Sequence, residues 1–509
     1  MKERKSDAVQ FNSIQFMVFC PVTIAVYFVV PRKLRMPWLL VTSYYFYMSW
    51  NPKYVVLIGF STVATWLCGI LLERVPSPGG YPRLRKKVLV ALCLIANLTI
   101  LGLFKYGNFA LEALDALAHV TGFSGGDVQM RFHYLLPVGI SFYTFQALGY
   151  IVDVYRGETQ AEKNFFRYAL FVSFFPQLVA GPIERSKNLL AQMRDMGNTR
   201  LWDGHRIASG AVLMVWGFFM KMVVADRAAI LVDTVFGDYQ MYGGTELILA
   251  AVMFAIQIYC DFGSYSMIAM GAAKIMGFTL MENFNTPYLA RSIKDFWSRW
   301  HISLSGWFRD YLYIPLGGNR QGPCRKALNK LAVFLASGLW HGANWTFVAW
   351  GGFHGLLQVI ADLWAPYGKA LTKRLSIKTN CFSWKLLKTA TTFVLVDIGW
   401  VFFRSDSITD ALRFFQRILI RPTPWLLFNG GIFTLGLDRV EMNILFFSLL
   451  LLFLVDRVRY KHGKLLDGFL WEQNLWFQWF AVIGLIVLIF VFGEYGPAFD
   501  PKQFIYFQF

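Results

Sequence analysis

Two histidines and several guanidinium groups stand where a chain this apolar has least room for them. The stretch Phe296–Arg320 holds His301 with Arg299, Arg309, Asp310 and Arg320 among Trp297, Trp300 and other aromatics, and Leu339–Trp345 holds Trp340, His341 and Asn344; long apolar runs flank both. Ionisable groups at membrane depth are costly and mark function by default. An imidazole titrates near neutrality and can take a proton from an attacking hydroxyl, worth about 10²–10⁴ in rate when the base is positioned. His341 and His301 are therefore candidate acid–base groups. The plain alternative for either is a core histidine bonded to a neighbouring carbonyl. Guanidinium forks suit phosphate oxygens, which makes Arg299 and Arg309 candidates for gripping a phosphorylated substrate, whereas Arg325, Lys326 and Lys330 are explained by loop charge alone. Asp310 reads as the ion-pair partner of Arg309. On helices, Asn344 would share a face with His341, and Trp297 and Ser305 would share one with His301. His354, in the run Gly351–Gly355, reads as packing, since glycines let backbones approach closely. His119, His133, His205 and His462 fall in loops or near span ends, and no His-x-x-x-His pair is present, so no metal site is expected.

Elements that place these groups must be membrane helices. The chain has 509 residues, 56% hydrophobic, 18% aromatic and 16% charged, where soluble domains carry about 25% charged residues; its mean hydropathy is +0.44. The net charge of +18 is spread in short clusters between apolar runs, such as Arg32–Arg35 and Arg83–Lys87. That is positive-inside patterning, which implies lipid and no nucleic acid as partner. Six scattered cysteines without a Cys-x-x-Cys pair predict neither a disulfide framework nor a zinc site. The basic N-terminus, Met1 to Lys5, precedes an apolar run with no small-residue cleavage site, as in a signal anchor.

About 20 apolar residues cross the hydrocarbon core. The runs 12–30, 37–50, 54–72, 88–104, 134–153, 207–224, 245–261, 327–341, 344–363, 388–403, 442–455 and 476–493 predict an all-α, multi-pass transmembrane helical bundle of about 11–12 spans in a single domain over 1–509. Stretches 165–181 and 262–277, interrupted by Pro176, Pro182, Gly263, Gly271 and Gly277, predict broken, re-entrant or cavity-lining helices. The basic segments 155–206, 278–326, 369–388 and 457–464 are assigned to the cytoplasm. A histidine inside the run 327–341 must be reached by substrate, which predicts a central tunnel lined by His341, His301, Asn344, Trp297, Trp300 and Trp340.

Several ordered motifs carry a resemblance. Phe296–Arg320 with Trp340–Gly342 is similar to the membrane-bound O-acyltransferase family. Pro137–Gln146, Asp153–Gly157, Phe174–Ile183, Asp261–Ser266, Trp400–Arg404 and Phe504–Phe509 extend it over nearly the full length, and together they resemble the bacterial alginate O-acetyltransferase branch, with a motif core at about 130–365. The resemblance implies that His341, in the Trp-His-Gly position, is the essential histidine, and that His301 completes a proton relay or orients a substrate. It further implies a multi-pass enzyme of the plasma (inner) membrane. This enzyme takes an acetyl group from a cytoplasmic thioester, acetyl-CoA or a carrier protein, with no tightly bound cofactor, and passes it beside His341 for O-acetylation of an extracytoplasmic polysaccharide. A separate extracytoplasmic acetyltransferase partner is implied. Ser303 and Ser305 lack the strand-to-helix elbow of a nucleophilic serine, which disfavours an acyl-serine there and favours direct attack by a hydroxyl on the thioester. The acceptor stays open among alginate, peptidoglycan, cellulose and other glycans. Two other readings remain: D-alanyl transfer to teichoic acid, and a proton-coupled transporter without acyl chemistry, for which paired inverted repeats are not evident.

Overall fold

The computed structural model describes residues 11–75, 80–121 and 136–495, the side chains at 80–83, 116–117 and 119–120 excepted. The Phe504–Phe509 motif, the basic N-terminal residues, His133 and the side chain of His119 lie outside the described residues. Among the described residues there is no strand, and all twelve apolar runs fall on helices.

A first compact unit lies within Met1–Ala208 and Ala272–Met281. It contains α1 (Ile14–Val29), α2 (Arg32–Met48), α3 (Val55–Arg74), α4 (Gly80–Thr121), α5 (Ile140–Arg156) and α6 (Phe165–Ser173). The second unit, Ser209–Gly271 with Glu282–Phe509, holds all or most of α7 (Gly204–Gly237), α8 (Gly244–Met276), α9 (Ile293–Trp297), α10 (Ile302–Phe308), α11 (Gly322–His341), α12 (Trp345–Arg374), α13 (Phe382–Arg404), α14 (Ile408–Ile420), α15 (Arg439–His462) and α16 (Leu475–Phe492). Six helices among the described residues are long and apolar enough to cross a membrane: Pro52–Arg74, Leu84–Asp115, α7, α8, α13 and α16. The other six runs lie on helices that are too short, as in α1, α2 and α5, or that carry more polar residues, as in α11, α12 and α15.

The two interrupted stretches behave differently. Helix α6 stops at Ser173, ahead of Pro176, and everything from Tyr168 to Glu184 is buried. The N–H of Phe175, which would continue the helix to the Phe171 carbonyl, donates instead to Ser43 Oγ at 3.1 Å. Amides take its place: Gln146 Nε2 at 2.6 Å and Gln177 Nε2 at 3.1 Å both donate to Phe171 O. A broken helix is stable in an apolar setting only when side chains satisfy the freed groups in this way. Stretch 262–277, by contrast, is not broken. Helix α8 runs unbroken to Met276 and ends at Gly277, whose φ of +96° closes it. Its inner glycines serve packing: a Cβ on Gly271 would collide with the Gly210 carbonyl of α7, 2.5 Å away.

Helices α11 and α12 form an antiparallel hairpin joined by Gly342–Asn344. Small residues set the approach. A Cβ on Gly338 would strike the carbonyl of Phe347, and one on Gly351 the carbonyl of Phe334, while Gly355 sits 3.1 Å from Phe334 Cβ by the same construction. At the open end Asp362 accepts from Lys326 at 2.5 Å and Lys330 at 2.8 Å. We expect Gly351→Ala to cost about 1–3 kcal/mol through overpacking, seen as a lower melting temperature of detergent-purified protein. Gly352→Ala, whose Cβ would meet only Leu335 at 3.5 Å, should melt like the unsubstituted protein; equal melting of the two variants would refute this account of the hairpin.

Candidate active site

His341 is the last residue of α11, 4% exposed, and the turn behind it admits only glycine, because a Cβ on Gly342 would enter the Phe347 ring. The glycine contact brings Trp350 of α12 edge-on to His341 at 5.0 Å, and α13 adds Phe403 at 5.4 Å. Trp350 stacks on Trp400 at 5.8 Å and meets His354 at 5.2 Å. Gly399 is what lets His354 in, since a Cβ there would lie 2.6 Å from its Nε2.

His301 comes from a different construction. It is not helical: it sits between α9 and α10 with φ +43° and ψ 54°, the left-handed region. For a residue with a Cβ this costs roughly 1–2 kcal/mol, and such residues persist where surrounding contacts over-determine them, often at functional sites. The expected common face with Trp297 and Ser305 is thereby replaced by a turn. Asn283 lies alongside it: its carbonyl accepts from Ile302 N–H at 2.9 Å and its Oδ1 from Ser303 Oγ at 2.6 Å. Residues 282–286 are pinned in turn. Arg459 of α15 donates to Glu282 at 2.8 Å and to the Phe284 carbonyl at 2.6 Å. Arg299 donates to Asp295 at 2.7 Å, Thr286 Oγ1 at 3.2 Å and the Asn285 carbonyl at 3.3 Å, and lies over the Tyr460 ring at 5.0 Å. Thr286 is itself left-handed, φ +45°, so this clasp holds a second strained residue. The outcome is that the His301 and His341 rings lie 6.3 Å apart, with Trp340 5.8 Å from His301.

Of the candidates from sequence, His301, His341, Trp297, Trp300 and Trp340 converge on one aromatic cluster. Trp300 stacks on Phe296 at 5.5 Å and meets Trp400 at 4.9 Å. Asn344 does not share a helix face with His341. Helix α11 ends first, and Asn344 caps α12, its Oδ1 accepting from Thr346 N–H at 3.0 Å and its Nδ2 donating to the Asp406 carbonyl at 3.1 Å. Arg299 is committed to the clasp, while Arg309 is exposed and pairs with Asp310 at 2.8 Å. His354, read as packing, lies in the same cluster and is fully buried; Trp297 Nε1–H donates to its Nδ1 at 3.4 Å. Asn283, Arg459, Trp350 and Phe403 were not singled out as site residues. Asn283 falls in a stretch without helical period, Trp350 looks like an ordinary span residue, Arg459 looks like one more charge of the basic segment 457–464, and Phe403 is signalled only as a member of the Trp400–Arg404 motif. Among the described residues no group of three or more His, Cys, Asp or Glu side chains is placed to hold a metal ion.

Comparison with known proteins supplies the class of chemistry. Residues 158–383 match the membrane-bound O-acyltransferase family model. The chain is 39% identical over 408 residues to a probable alginate O-acetylase of Pseudomonas aeruginosa, covering 80% of this chain and 74% of that protein. It is 34% identical over 435 residues to a peptidoglycan O-acetyltransferase of Helicobacter pylori, covering 79% and 78%. Similarity to a teichoic acid D-alanyltransferase of Streptococcus thermophilus is 31% over 247 residues, covering 46% and 59%.

Burial pushes the His301 imidazole down to about 3, against about 6.5 in the unfolded chain. The native state therefore binds fewer protons than the unfolded one. The corresponding stability is present above pH 6.5 and is lost as pH falls from there toward 3. Melting temperatures taken between pH 7 and pH 4 should fall less steeply for His301→Ala than for the unsubstituted protein; parallel profiles would show that His301 is not held neutral by burial.

Proposed function

The chain belongs to the membrane-bound O-acyltransferase family and is an O-acyltransferase, and we propose that it moves an acetyl group from a cytoplasmic thioester across the membrane for O-acetylation of an extracytoplasmic polysaccharide. The observation that carries this reading is the convergence of His341 and His301, 6.3 Å apart, inside an aromatic cluster of such a chain. Acetyl-CoA is the favoured donor, with a carrier-protein thioester as the variant. An acceptor hydroxyl attacks the thioester carbonyl, the neutral His341 imidazole takes the hydroxyl proton, the C–S bond breaks, and the thiolate leaves to be reprotonated from the imidazolium. A base so placed contributes about 10²–10⁴. His301 orients the acceptor or passes the proton on. Trp297, Trp300 and Trp340 keep bulk water from the reacting atoms, which strengthens each polar contact there. Because His341 is buried, this mechanism requires a passage that the donor enters from the cytoplasm and the acceptor from outside.

Arg309, exposed beside Asp310, suits a donor phosphate better than Arg299, whose Nε is paired with Asp295 and whose Nη1 holds Asn285 and Thr286. The likeness to the alginate and peptidoglycan enzymes supports a glycan acceptor and a bacterial inner-membrane location. Teichoic acid alanylation is less well supported, since that relative covers 46% of the chain where the alginate one covers 80%. A proton-coupled transporter has no support from these relatives. A separate extracytoplasmic transferase would complete transfer to the polymer.

His341→Ala should reduce acetylation of the cell-surface polymer by about 10²–10⁴ at an unchanged membrane level. Activity within a few fold of normal would remove His341 as the base. Orientation has its own check. Cys324, in the first turn of α11, is exposed, whereas four of the other cysteines are buried. In a Cys381→Ser background an impermeant thiol reagent should label Cys324 in inside-out vesicles and leave it untouched in intact cells; the reverse would place the donor entry on the wrong face.

A further inference from the structure

Asn283 accepts three hydrogen bonds from the two residues that follow His301, and it has no part in the proposed chemistry. It is 1% exposed. Its backbone carbonyl takes the N–H of Ile302 at 2.9 Å, the residue after His301. Its Oδ1 takes two further donors, Ser303 N–H at 3.3 Å and Ser303 Oγ–H at 2.6 Å. Its Nδ2 donates to Ser266 Oγ of α8 at 3.3 Å. One turn earlier on α8, Phe262 stands edge-on to the His301 ring at 4.7 Å. The same helix thus supports the imidazole directly through Phe262 and indirectly through Ser266 and Asn283. Only an amide serves all of these partners, because the side chain must accept at one atom and donate at the other.

We infer that Asn283 is a positioning residue for acyl transfer: by bonding both residues that follow His301 and the α8 helix behind it, it holds the left-handed turn that points the His301 ring at His341. The inference rests on the reading that His301 acts in transfer. A left-handed residue with a Cβ relaxes toward the ordinary right-handed or extended regions once its constraints are removed. Rotation of φ at His301 swings the imidazole away from His341, whereas the fold elsewhere is held by the α11–α12 hairpin and by the Arg459 and Arg299 contacts to the neighbouring backbone. The effect of losing Asn283 should accordingly appear in the reaction and act through His301.

A double-substitution cycle at matched membrane levels tests this, with the rate of cell-surface polymer acetylation as the readout. Asn283→Ala should lower the rate by about 10-fold to 100-fold. In a His301→Ala background the same substitution should lower it no further, since residues that act as one unit are not additive. Ser303→Ala, which deletes one hydrogen bond without opening a cavity, should show the same dependence at smaller size, and it carries the test if Asn283→Ala does not accumulate. Multiplicative losses in the two backgrounds would overturn the positioning role and leave Asn283 as a general stabiliser. Full activity of His301→Ala alone is a separate result: it would remove the reading of His301 on which this inference stands, and the inference with it.

Discussion

The contact between Gly338 and Gly351 is the constraint on which the second unit's histidine cluster depends. Lipid offers no hydrophobic drive for helices to associate, so close packing must supply it, and packing is closest where side chains are missing. With the two backbones in contact, His341, Trp350 and His354 come to one side of the hairpin and meet α13, where Gly399 makes room for His354. A larger residue at either glycine would separate the helices and leave voids around the imidazoles. Burial of those rings is thus a consequence of backbone geometry and not of hydrophobicity in the local sequence.

Two of the three left-handed non-glycine residues among the described ones fall in one short segment, the third being Ser376. Thr286 and His301, both left-handed, lie on either side of the α9 turn and are held by hydrogen bonds that cross from α8 and α15. The arginines there act through geometry. Arg299 and Arg459 each satisfy backbone carbonyls in a stretch that makes no helix, 282–286, where unsatisfied groups would be costly. Their charges are offset by Asp295 and Glu282. An arginine that looks like a substrate clamp in the sequence can therefore be occupied by the fold.

The first unit solves the same problem at its own break. The glutamines Gln146 and Gln177 take over the Phe171 carbonyl once Ser43 has claimed the Phe175 amide. Both units therefore follow one rule: irregular backbone occurs where polar side chains from neighbouring helices replace the lost ladder bonds. Apolar surface lies elsewhere, as on α16, where Leu485 alone is buried.

Much of this architecture was legible in the sequence, because length and hydropathy of apolar runs are local properties: every predicted run falls on a helix. The candidate histidines and tryptophans were legible for a related reason, since polar or aromatic groups inside such runs stand out against their neighbours. What proved local in appearance but tertiary in fact was the interruption by glycine. Pro176 ends a helix through its own missing N–H, whereas Gly263 and Gly271 sit in an unbroken helix and serve a neighbour's approach, and no pattern within the segment distinguishes the two uses. The fate of Asn344, Arg299 and Asn283 was likewise decided by tertiary structure. A hydrogen-bonding side chain takes whichever partner the fold brings within about 3 Å, and those partners, Asp406, Asn285 and Ser303, lie 62, 14 and 20 residues away. Only the folded chain brings such distant residues together, and that is why the helices could be read from the sequence and the grip on His301 could not.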